Sequence, residues 1–133
     1  MSVDTALQRT REALVLRHVA AENTRDLEAV MATFTRPRYE IIPTGMIFDG
    51  DDAVRAMLLQ QWGDLPLLRY SAEGIYHGED GLVVETRTTA SGKTIDMLSI
   101  NLFSFRGPDL ILERCYFDRM LLEEQLRHRG SGN

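Results

Sequence analysis

Three polar side chains lie in otherwise apolar surroundings along the sequence, and each could take part in chemistry. His18 lies one helical turn from Leu14 in a mostly apolar helical pattern, and histidine changes charge near neutral pH. Asn101 lies within an apolar run of strand type, where a buried amide needs hydrogen-bond partners. Asp118 ends the last strand-like run, so it is a candidate for proton transfer or for capping the helix that follows. His18 and Asn101 likewise have purely structural interpretations, as a buried histidine and a structural amide.

Alternation along the predicted strands indicates which side chains could share a wall with Asn101. Successive side chains of a strand point to opposite faces, which places Met97, Asn101 and Phe103 together. A mixed polar and aromatic face is typical of a pocket wall. Large side chains that could line an apolar cavity, or simply fill the core, are Met97, Phe103, Trp62 and Tyr116.

The same alternation does not decide which carboxylate faces a pocket. Both faces of the last predicted strand are mixed, with Asp118 and Tyr116 on one and Glu113 on the other. Glu40 shares a face with Ile42 on the first strand. Asp118, Glu40 and Glu113 therefore all remain open as the pocket carboxylate, with Asp118 preferred.

Composition and charge narrow the function classes. The 133 residues fit a single domain, predicted over 1–133 with a flexible tail from about residue 128. The net charge of −5 argues against nucleic-acid binding, which needs a basic surface. No apolar run approaches the roughly 20 residues of a membrane span, and no signal-peptide core is present. The single cysteine, Cys115, excludes an intramolecular disulfide, and the three histidines show no metal-ligand spacing, so we expect a cytoplasmic protein without a metal site.

Helix signals occur early and at the end of the chain. Asp4 and Asp26 are the expected N-caps of the first two helices. Asp51 or Asp52 is the expected cap of the third. Arg119–Arg129 is predicted to close the domain with a short helix.

Strand signals dominate the second half of the chain. The predicted strands are Tyr39–Pro43, Met46–Phe48, Leu67–His77, Leu82–Ala90, Ile95–Phe105 and Leu110–Asp118. Short turn-rich connectors such as Gly78–Gly81 and Ser91–Lys93 predict an antiparallel meander. Helices followed by such a meander indicate an α+β fold.

Three segments, Arg17–Phe34, Glu40–Gly45 and Ile100–Phe105, carry a family resemblance. They resemble the nuclear-transport-factor-2-like superfamily, most closely its SnoaL-like and ketosteroid-isomerase-like members. The resemblance implies a cone-shaped, curved, mixed or antiparallel sheet wrapped around N-terminal helices and enclosing a single pocket. It also implies a homodimer formed through the exposed face of the sheet.

The resemblance to ketosteroid isomerases suggests roles for individual residues. Those enzymes pair a tyrosine with a protonated aspartic acid as an oxyanion hole, and a second aspartate before a proline moves the proton. Carried over by position, these three become His18, Asn101 and Ile42, which precedes Pro43. Ile42 cannot accept a proton, so steroid isomerisation by that mechanism is not expected. His18 and Asn101 can still donate hydrogen bonds to a developing oxyanion, and Glu40 is either a substitute carboxylate or a solvated residue at the strand rim.

The end of the chain resembles the SnoaL-like families in Glu113–Asp118 and Leu121–Leu126. In the polyketide cyclases of that group, an aspartate at this strand end is the proposed acid/base group for an intramolecular aldol closure, which implies that role for Asp118. Limonene-type epoxide hydrolases have a similar last strand with an Asp-Arg-Asp set. Arg87 matches their arginine, but Cys115 stands where one aspartate is expected, which weakens that third possibility.

We therefore expect a cofactor-independent cyclase or isomerase that acts on an apolar, carbonyl-containing metabolite such as a polyketide. The predicted catalytic residues are Asp118, His18 and Asn101. The predicted pocket residues are Glu40, Ile42, Trp62, Met97, Phe103 and Tyr116. The alternative is a small-molecule-binding or accessory protein of the same fold without catalysis, which the absence of a carboxylate at Ile42 favours.

Overall fold

Four helices and six strands make up residues 4–90 and 94–131, the part of the chain that the computed structural model describes, with residues 129–131 described by their backbone alone. The helices are α1 (Thr5–Thr24), α2 (Leu27–Ala32), α3 (Asp51–Asp64) and α4 (Arg119–Ser131). The strands are β1 (Arg38–Ile41), β2 (Met46–Asp49), β3 (Leu68–Gly78), β4 (Gly81–Ala90), β5 (Asp96–Arg106) and β6 (Asp109–Tyr116). This layout confirms the predicted α+β class. The turn predicted at Ser91–Lys93 and the last two residues of the predicted tail lie outside the described residues.

Aspartate side chains start the first two helices, as the sequence predicts. Asp4 and Asp26 each accept a hydrogen bond from a backbone N–H of the first turn. The predicted cap of α3 is wrong, because Gly50 occupies the N-cap position and Asp51 and Asp52 lie in the first turn. Their charges still favour the helix, since its positive dipole end lies there. Within residues 4–90 and 94–131, no helix is long and apolar enough to cross a membrane.

The strands form one curved sheet in the order β2-β1-β6-β5-β4-β3. Strands β3 to β6 are an antiparallel meander, as predicted, whereas β1 pairs with β6 in parallel and makes the sheet mixed. Register shifts between Ala72 and Gly74 and between Ser104 and Phe105 interrupt the ladder, and such bulges bend a strand. The helices pack on the inner, concave face, where the main hydrophobic core lies.

The outer face of the sheet carries several exposed apolar side chains. Leu98, Ile100 and Tyr116 are 51%, 37% and 38% exposed. The homodimer implied by the family resemblance would cover this face, and it stays a prediction.

Asn23 attaches the end of α1 to β3. Its Nδ2 donates to the carbonyl of Tyr70 at 2.9 Å, and its Oδ1 accepts from the N–H of the same residue at 2.7 Å. Arg25 follows with a left-handed φ of 55°, and its guanidinium donates to two backbone carbonyls at and just beyond the end of α3. These contacts hold Glu22, which directly precedes Asn23, beside β3.

Arg11 is a buried cation that connects α1 to two turns of the sheet. It is 3% exposed, and it donates to the carbonyls of Gly107 at 2.9 Å and Glu79 at 3.0 Å. Its guanidinium also lies over the ring of Phe105, 5.4 Å from the centroid.

We expect Arg11→Ala to lower the free energy of unfolding by about 2 to 4 kcal/mol, because two charge-assisted hydrogen bonds and a cation–π contact are lost. Urea unfolding measures this change. The control is Arg9→Ala at an exposed position of the same helix, for which a change within about 0.5 kcal/mol is expected. An equal loss in both variants would contradict the role of Arg11.

Candidate functional site

A cavity of about 710 Å³ lies between the inner face of the sheet and the helices α1, α3 and α4. Most of its lining side chains are apolar: Val19, Ile41, Met46, Phe48, Met57, Leu65, Leu68, Met97, Phe103, Phe117 and Leu122. Polar side chains that line it include Glu22, Tyr39, Tyr70, Asn101 and Glu113. This size and this mainly apolar lining are typical of small-molecule sites.

Two of the predicted pocket residues, Met97 and Phe103, line the cavity, and Asn101 lies between them on the same face of β5. Trp62 does not line it. It borders a smaller adjoining cleft together with Tyr70.

Glu40, Ile42 and Tyr116 are not among the side chains that line the cavity, which corrects their assignment as pocket residues. Tyr39 and Ile41 line it instead, because a shift of one residue along a strand reverses the face. On the outer face, two arginine side chains bind the carboxylate of Glu40 and lower its pKa.

Four polar side chains meet at the cavity wall and are termed the His18 cluster: His18 and Glu22 of α1, Tyr39 of β1 and Glu113 of β6. Residues four apart share a helix face, which brings His18 and Glu22 together. Tyr39 and Glu113 are partners in the parallel β1–β6 pair, so their side chains lie on the same face of the sheet. Glu22, Tyr39 and Glu113 line the cavity, whereas His18 lies behind them with no exposed surface.

The hydrogen-bond partners of His18 make both ring nitrogens donors. Its Nδ1 lies 2.9 Å from Oγ1 of Thr33, whose own proton goes to the carbonyl of Val30 at 2.6 Å. Its Nε2 lies 3.2 Å from Oη of Tyr39, whose proton goes to Oε2 of Glu22 at 3.1 Å. A ring with hydrogen on both nitrogens is an imidazolium cation.

Two carboxylates stabilise this cation. Nε2 of His18 lies 2.9 Å from Oε1 of Glu113 and 3.6 Å from Oε2 of Glu22. Burial by itself lowers the pKa of His18, but the negative charges of Glu22 and Glu113 outweigh burial and raise the pKa to about 10. His18 is therefore positively charged at neutral pH.

Glu113 presents one carboxylate oxygen that is left without a hydrogen bond. Its Oε2 accepts from Nδ2 of Asn101 at 3.1 Å and from Sγ of Cys115 at 3.5 Å. Its buried Oε1 accepts none from the described residues and is instead held by the 2.9 Å ion pair with Nε2 of His18. Burial and the charge of Glu22 raise the pKa of Glu113 by more than the His18 cation lowers it. Glu113 therefore holds a proton more strongly than an ordinary glutamate.

The cluster also affects its neutral neighbours. Burial, and after it the negative charges of Glu22 and Glu113, raise the pKa values of Tyr39, Tyr70 and Cys115 above their ordinary range. Cys115 is consequently a neutral, partly buried thiol, and its low thiolate content makes it a poor nucleophile.

Comparisons with known proteins agree with this fold. Residues 15–114 match the family model of the SnoaL-like domain. The chain belongs to the SnoaL-like domain family. No curated protein matches it.

Several solved structures share the fold of this SnoaL-like domain at low sequence identity. A protein assigned as a SnoaL-like polyketide cyclase from Jannaschia sp. CCS1 is 16% identical, with a TM-score of 0.80 over 94% of this chain and 96% of the other. TerC, co-crystallised with polyporic acid, is 15% identical, with a TM-score of 0.76 over 89% and 98%. A protein with a ketosteroid-isomerase-like fold from Catenulispora acidiphila DSM 44928, in complex with trimethylamine, is 14% identical, with a TM-score of 0.73 over 84% and 90%.

In this SnoaL-like domain, Asp118 caps α4. Its Oδ1 accepts the N–H of Leu121 at 3.0 Å, and its carbonyl accepts the N–H of Leu122. The side chain is exposed and does not line the cavity, which corrects its assignment as the acid/base group of the pocket. His18 and Asn101 do meet, since both contact Glu113.

We expect Asp118→Asn to leave the free energy of unfolding unchanged within about 0.5 kcal/mol, because asparagine caps a helix as well as aspartate does. Asp118→Ala removes the cap and should cost about 1 kcal/mol. Thermal unfolding of both variants measures the difference. A large loss in the asparagine variant would show that the charge of Asp118, and not its capping bond, stabilises the fold.

Arg87, the residue matched to the epoxide-hydrolase arginine, is not part of the cavity lining. It donates to Glu73 and Asp96 near the protein surface. That placement gives no support to an epoxide-hydrolase arrangement in this SnoaL-like domain.

The His18 cluster also resembles a metal-ligand set. His18, Glu22 and Glu113 offer ligand atoms within 4.8 Å of one another, and imidazole with two carboxylates suits a divalent transition metal. A metal needs a neutral imidazole with a free lone pair, whereas Nε2 of His18 carries a hydrogen in this network. The geometry therefore fits a protonated histidine that is ion-paired with two carboxylates better than it fits a metal centre.

Sequence reasoning missed Glu22 and Tyr39. The spacing of His18 and Glu22 on α1 is a signal that could have found the first, since residues at i and i+4 lie side by side. Tyr39 has no such local signal, because its neighbour Glu113 is 74 positions away in the sequence and is reached through the parallel β1–β6 pair.

Proposed function

We propose that this SnoaL-like domain is a small acid/base enzyme of the cyclase or isomerase type that moves a proton on an apolar carbonyl compound. The observation that carries the proposal is the carboxylate of Glu113, a residue that lines a mainly apolar cavity and whose pKa is raised by burial. Perturbed carboxylates in such cavities are typical of general bases.

In the proposed reaction, Glu113 accepts a proton from the carbon next to the substrate carbonyl. The C–H bond breaks, an O–H bond forms at the Glu113 carboxylate, and the electron pair moves to the carbonyl oxygen to give an enolate. One amide hydrogen of Asn101 is donated to Glu113. In the proposed reaction, the second amide hydrogen donates to the enolate oxygen. His18 does not touch the substrate; it is a positioning residue that keeps Glu113 ionised.

The fate of the enolate separates the two reaction types. In an isomerase, Glu113 returns the proton to a different carbon. In a cyclase, the enolate carbon bonds to a second carbonyl carbon of the same molecule, and the resulting alkoxide takes the proton back from Glu113. TerC, which shares the fold, was co-crystallised with the carbonyl compound polyporic acid, which supports a substrate of this kind.

Deuterium exchange into 2-tetralone, an apolar ketone with acidic α-hydrogens, tests the proton transfer without knowledge of the natural substrate. The protein in D₂O should accelerate loss of the benzylic α-hydrogen signal in proton NMR, and the rate should saturate with ketone concentration. Asp118→Asn is the matched control and should exchange at the wild-type rate. Binding of 2-tetralone without any acceleration would contradict catalysis.

A non-catalytic binding protein is the second candidate, and the burial of the His18 cluster favours it. His18 has no exposed surface and Glu113 is 3% exposed, so the ion pair could serve to hold α1 on the sheet. In that case 2-tetralone binds, its exchange rate equals that in buffer, and the Glu113→Gln change alters stability alone.

A further inference from the structure

The charges along the cavity wall do not balance. Glu22 and Glu113 both line the cavity, and His18 behind them supplies one positive charge for two negative ones. His18 lies nearer to Glu113, at 2.9 Å, than to Glu22, at 3.6 Å. Within the described residues, Glu22 accepts one hydrogen bond, from Tyr39 at 3.1 Å. A carboxylate with so little compensation in apolar surroundings is costly unless a cation approaches it.

Among residues 4–90 and 94–128, the other charged groups that line the cavity or the adjoining cleft do not supply that cation. Arg25 borders the adjoining cleft with Glu22, but its guanidinium donates to two backbone carbonyls. Arg119 lines the cavity, but it is paired with Glu123 at 3.0 Å and is largely exposed. Asp64, which also lines the cavity, adds a further negative charge.

Aromatic side chains of the same cavity complete a surface suited to an organic cation. Tyr39, Tyr70 and Phe103 line the same cavity, and the faces of aromatic rings attract positive charge. Glu22 and Tyr70 both line the main cavity and the cleft beside it. The upward pKa shift of Tyr70, to which the Glu22 charge contributes after burial, is consistent with a negative potential here.

We propose that the ligand of this cavity carries a positively charged nitrogen, which binds against the Glu22 carboxylate beside Tyr39 and Tyr70. The inference rests on the proposed function for its site, and it narrows the apolar carbonyl compound to one that also holds a basic amine. The ammonium hydrogens donate to Glu22, and the carbon skeleton packs on the apolar walls, so that the α-carbon reaches Glu113.

Binding of two compounds with the same carbon skeleton tests this inference. 2-Aminotetralin is cationic at neutral pH, and 2-tetralol is its neutral counterpart. Isothermal titration calorimetry on the full chain, with EDTA present to remove metal ions, should give a dissociation constant about tenfold or more lower for the amine. Glu22→Gln keeps the shape of the side chain and should abolish the preference. Glu40→Gln, which removes a carboxylate from the outer face, should retain it.

Each result of the binding comparison either supports or overturns the proposed cation site. Equal or weaker binding of 2-aminotetralin to the wild-type protein overturns the inference, and this comparison stands even if Glu22→Gln fails to fold. A preference that survives in Glu22→Gln, or that disappears in Glu40→Gln, also overturns it, because the attraction would then come from the overall negative charge. Normal 2-tetralone exchange without an amine preference contradicts this inference alone, whereas an amine preference without exchange contradicts the proposed catalysis alone.

Discussion

Glu113→Gln is expected to lower the rate of 2-tetralone deuterium exchange by about a hundredfold or more, the usual contribution of a general base. Glutamine preserves the size of the side chain and can still contact Asn101, but its amide cannot take up the substrate proton. The loss should appear in the exchange rate at saturation more than in ketone affinity, because the proton is transferred only after binding.

Two matched variants make this result specific. Asp118→Asn changes the exposed helix cap, and Glu40→Gln changes a carboxylate that two arginines hold on the outer face. Both should keep the wild-type exchange rate. A hundredfold loss in Asp118→Asn together with a normal rate in Glu113→Gln would return the acid/base role to Asp118 and contradict the cavity assignment.

His18→Gln is expected to lower the free energy of unfolding by about 3 to 5 kcal/mol, because it removes one partner of a buried ion pair and leaves two carboxylates without their cation. The matched control is His77→Gln. His77 makes the same kind of contact with Glu12, at 2.9 Å, but with side chains that are 21% and 43% exposed, and exposed pairs contribute at most about 1 kcal/mol. Urea unfolding of both variants at neutral pH measures the two changes. Similar small losses would show that the His18 pair contributes no more than a surface pair.

The same residue should make stability depend on pH. The native pKa of His18 is raised to about 10 from its ordinary 6.5, so between these values the native state holds a proton that the unfolded state releases. The stabilisation is therefore fully present below pH 6.5 and is lost as the pH rises toward 10. The upward shift of Glu113 acts in the same direction. His18→Gln should flatten this decline, and a wild-type stability that rises across the window would contradict the assignment.

Most of the fold could be predicted because helix caps, hairpin turns and strand alternation can be recognised from short stretches of sequence. The capping aspartates Asp4 and Asp26, the hairpin at Gly78–Gly81 and the strand alternation each depend on a few neighbouring residues. The meander then follows, since short connectors leave antiparallel pairing as the simple solution. The parallel pairing of β1 with β6 has no comparable local signal.

The site was harder to predict for physical reasons. On β6, both strand faces are mixed, so the sequence could not separate Glu113 from Asp118. Asp118 also has a sufficient local explanation as a cap, which the structure bears out. On β1, positional matching favoured Ile42 and alternation suggested Glu40, whereas the polar residue of this strand that lines the cavity is Tyr39. The long-range pairing of β1 with β6 brought Tyr39 and Glu113 together at the cavity, and no local pattern in the sequence indicates that pairing.

The charge state of His18 tests the proposed site most directly. Nitrogen-15 NMR of the imidazole rings, assigned by comparison with His18→Gln, reports whether each ring nitrogen carries hydrogen. Both nitrogens of His18 should be protonated at pH 8 and should titrate only near pH 10, which is what a cation held between Glu22 and Glu113 requires. A His18 ring that is neutral at pH 8 and titrates near its ordinary value would contradict the buried ion pair and, with it, the ionised base proposed for the cavity.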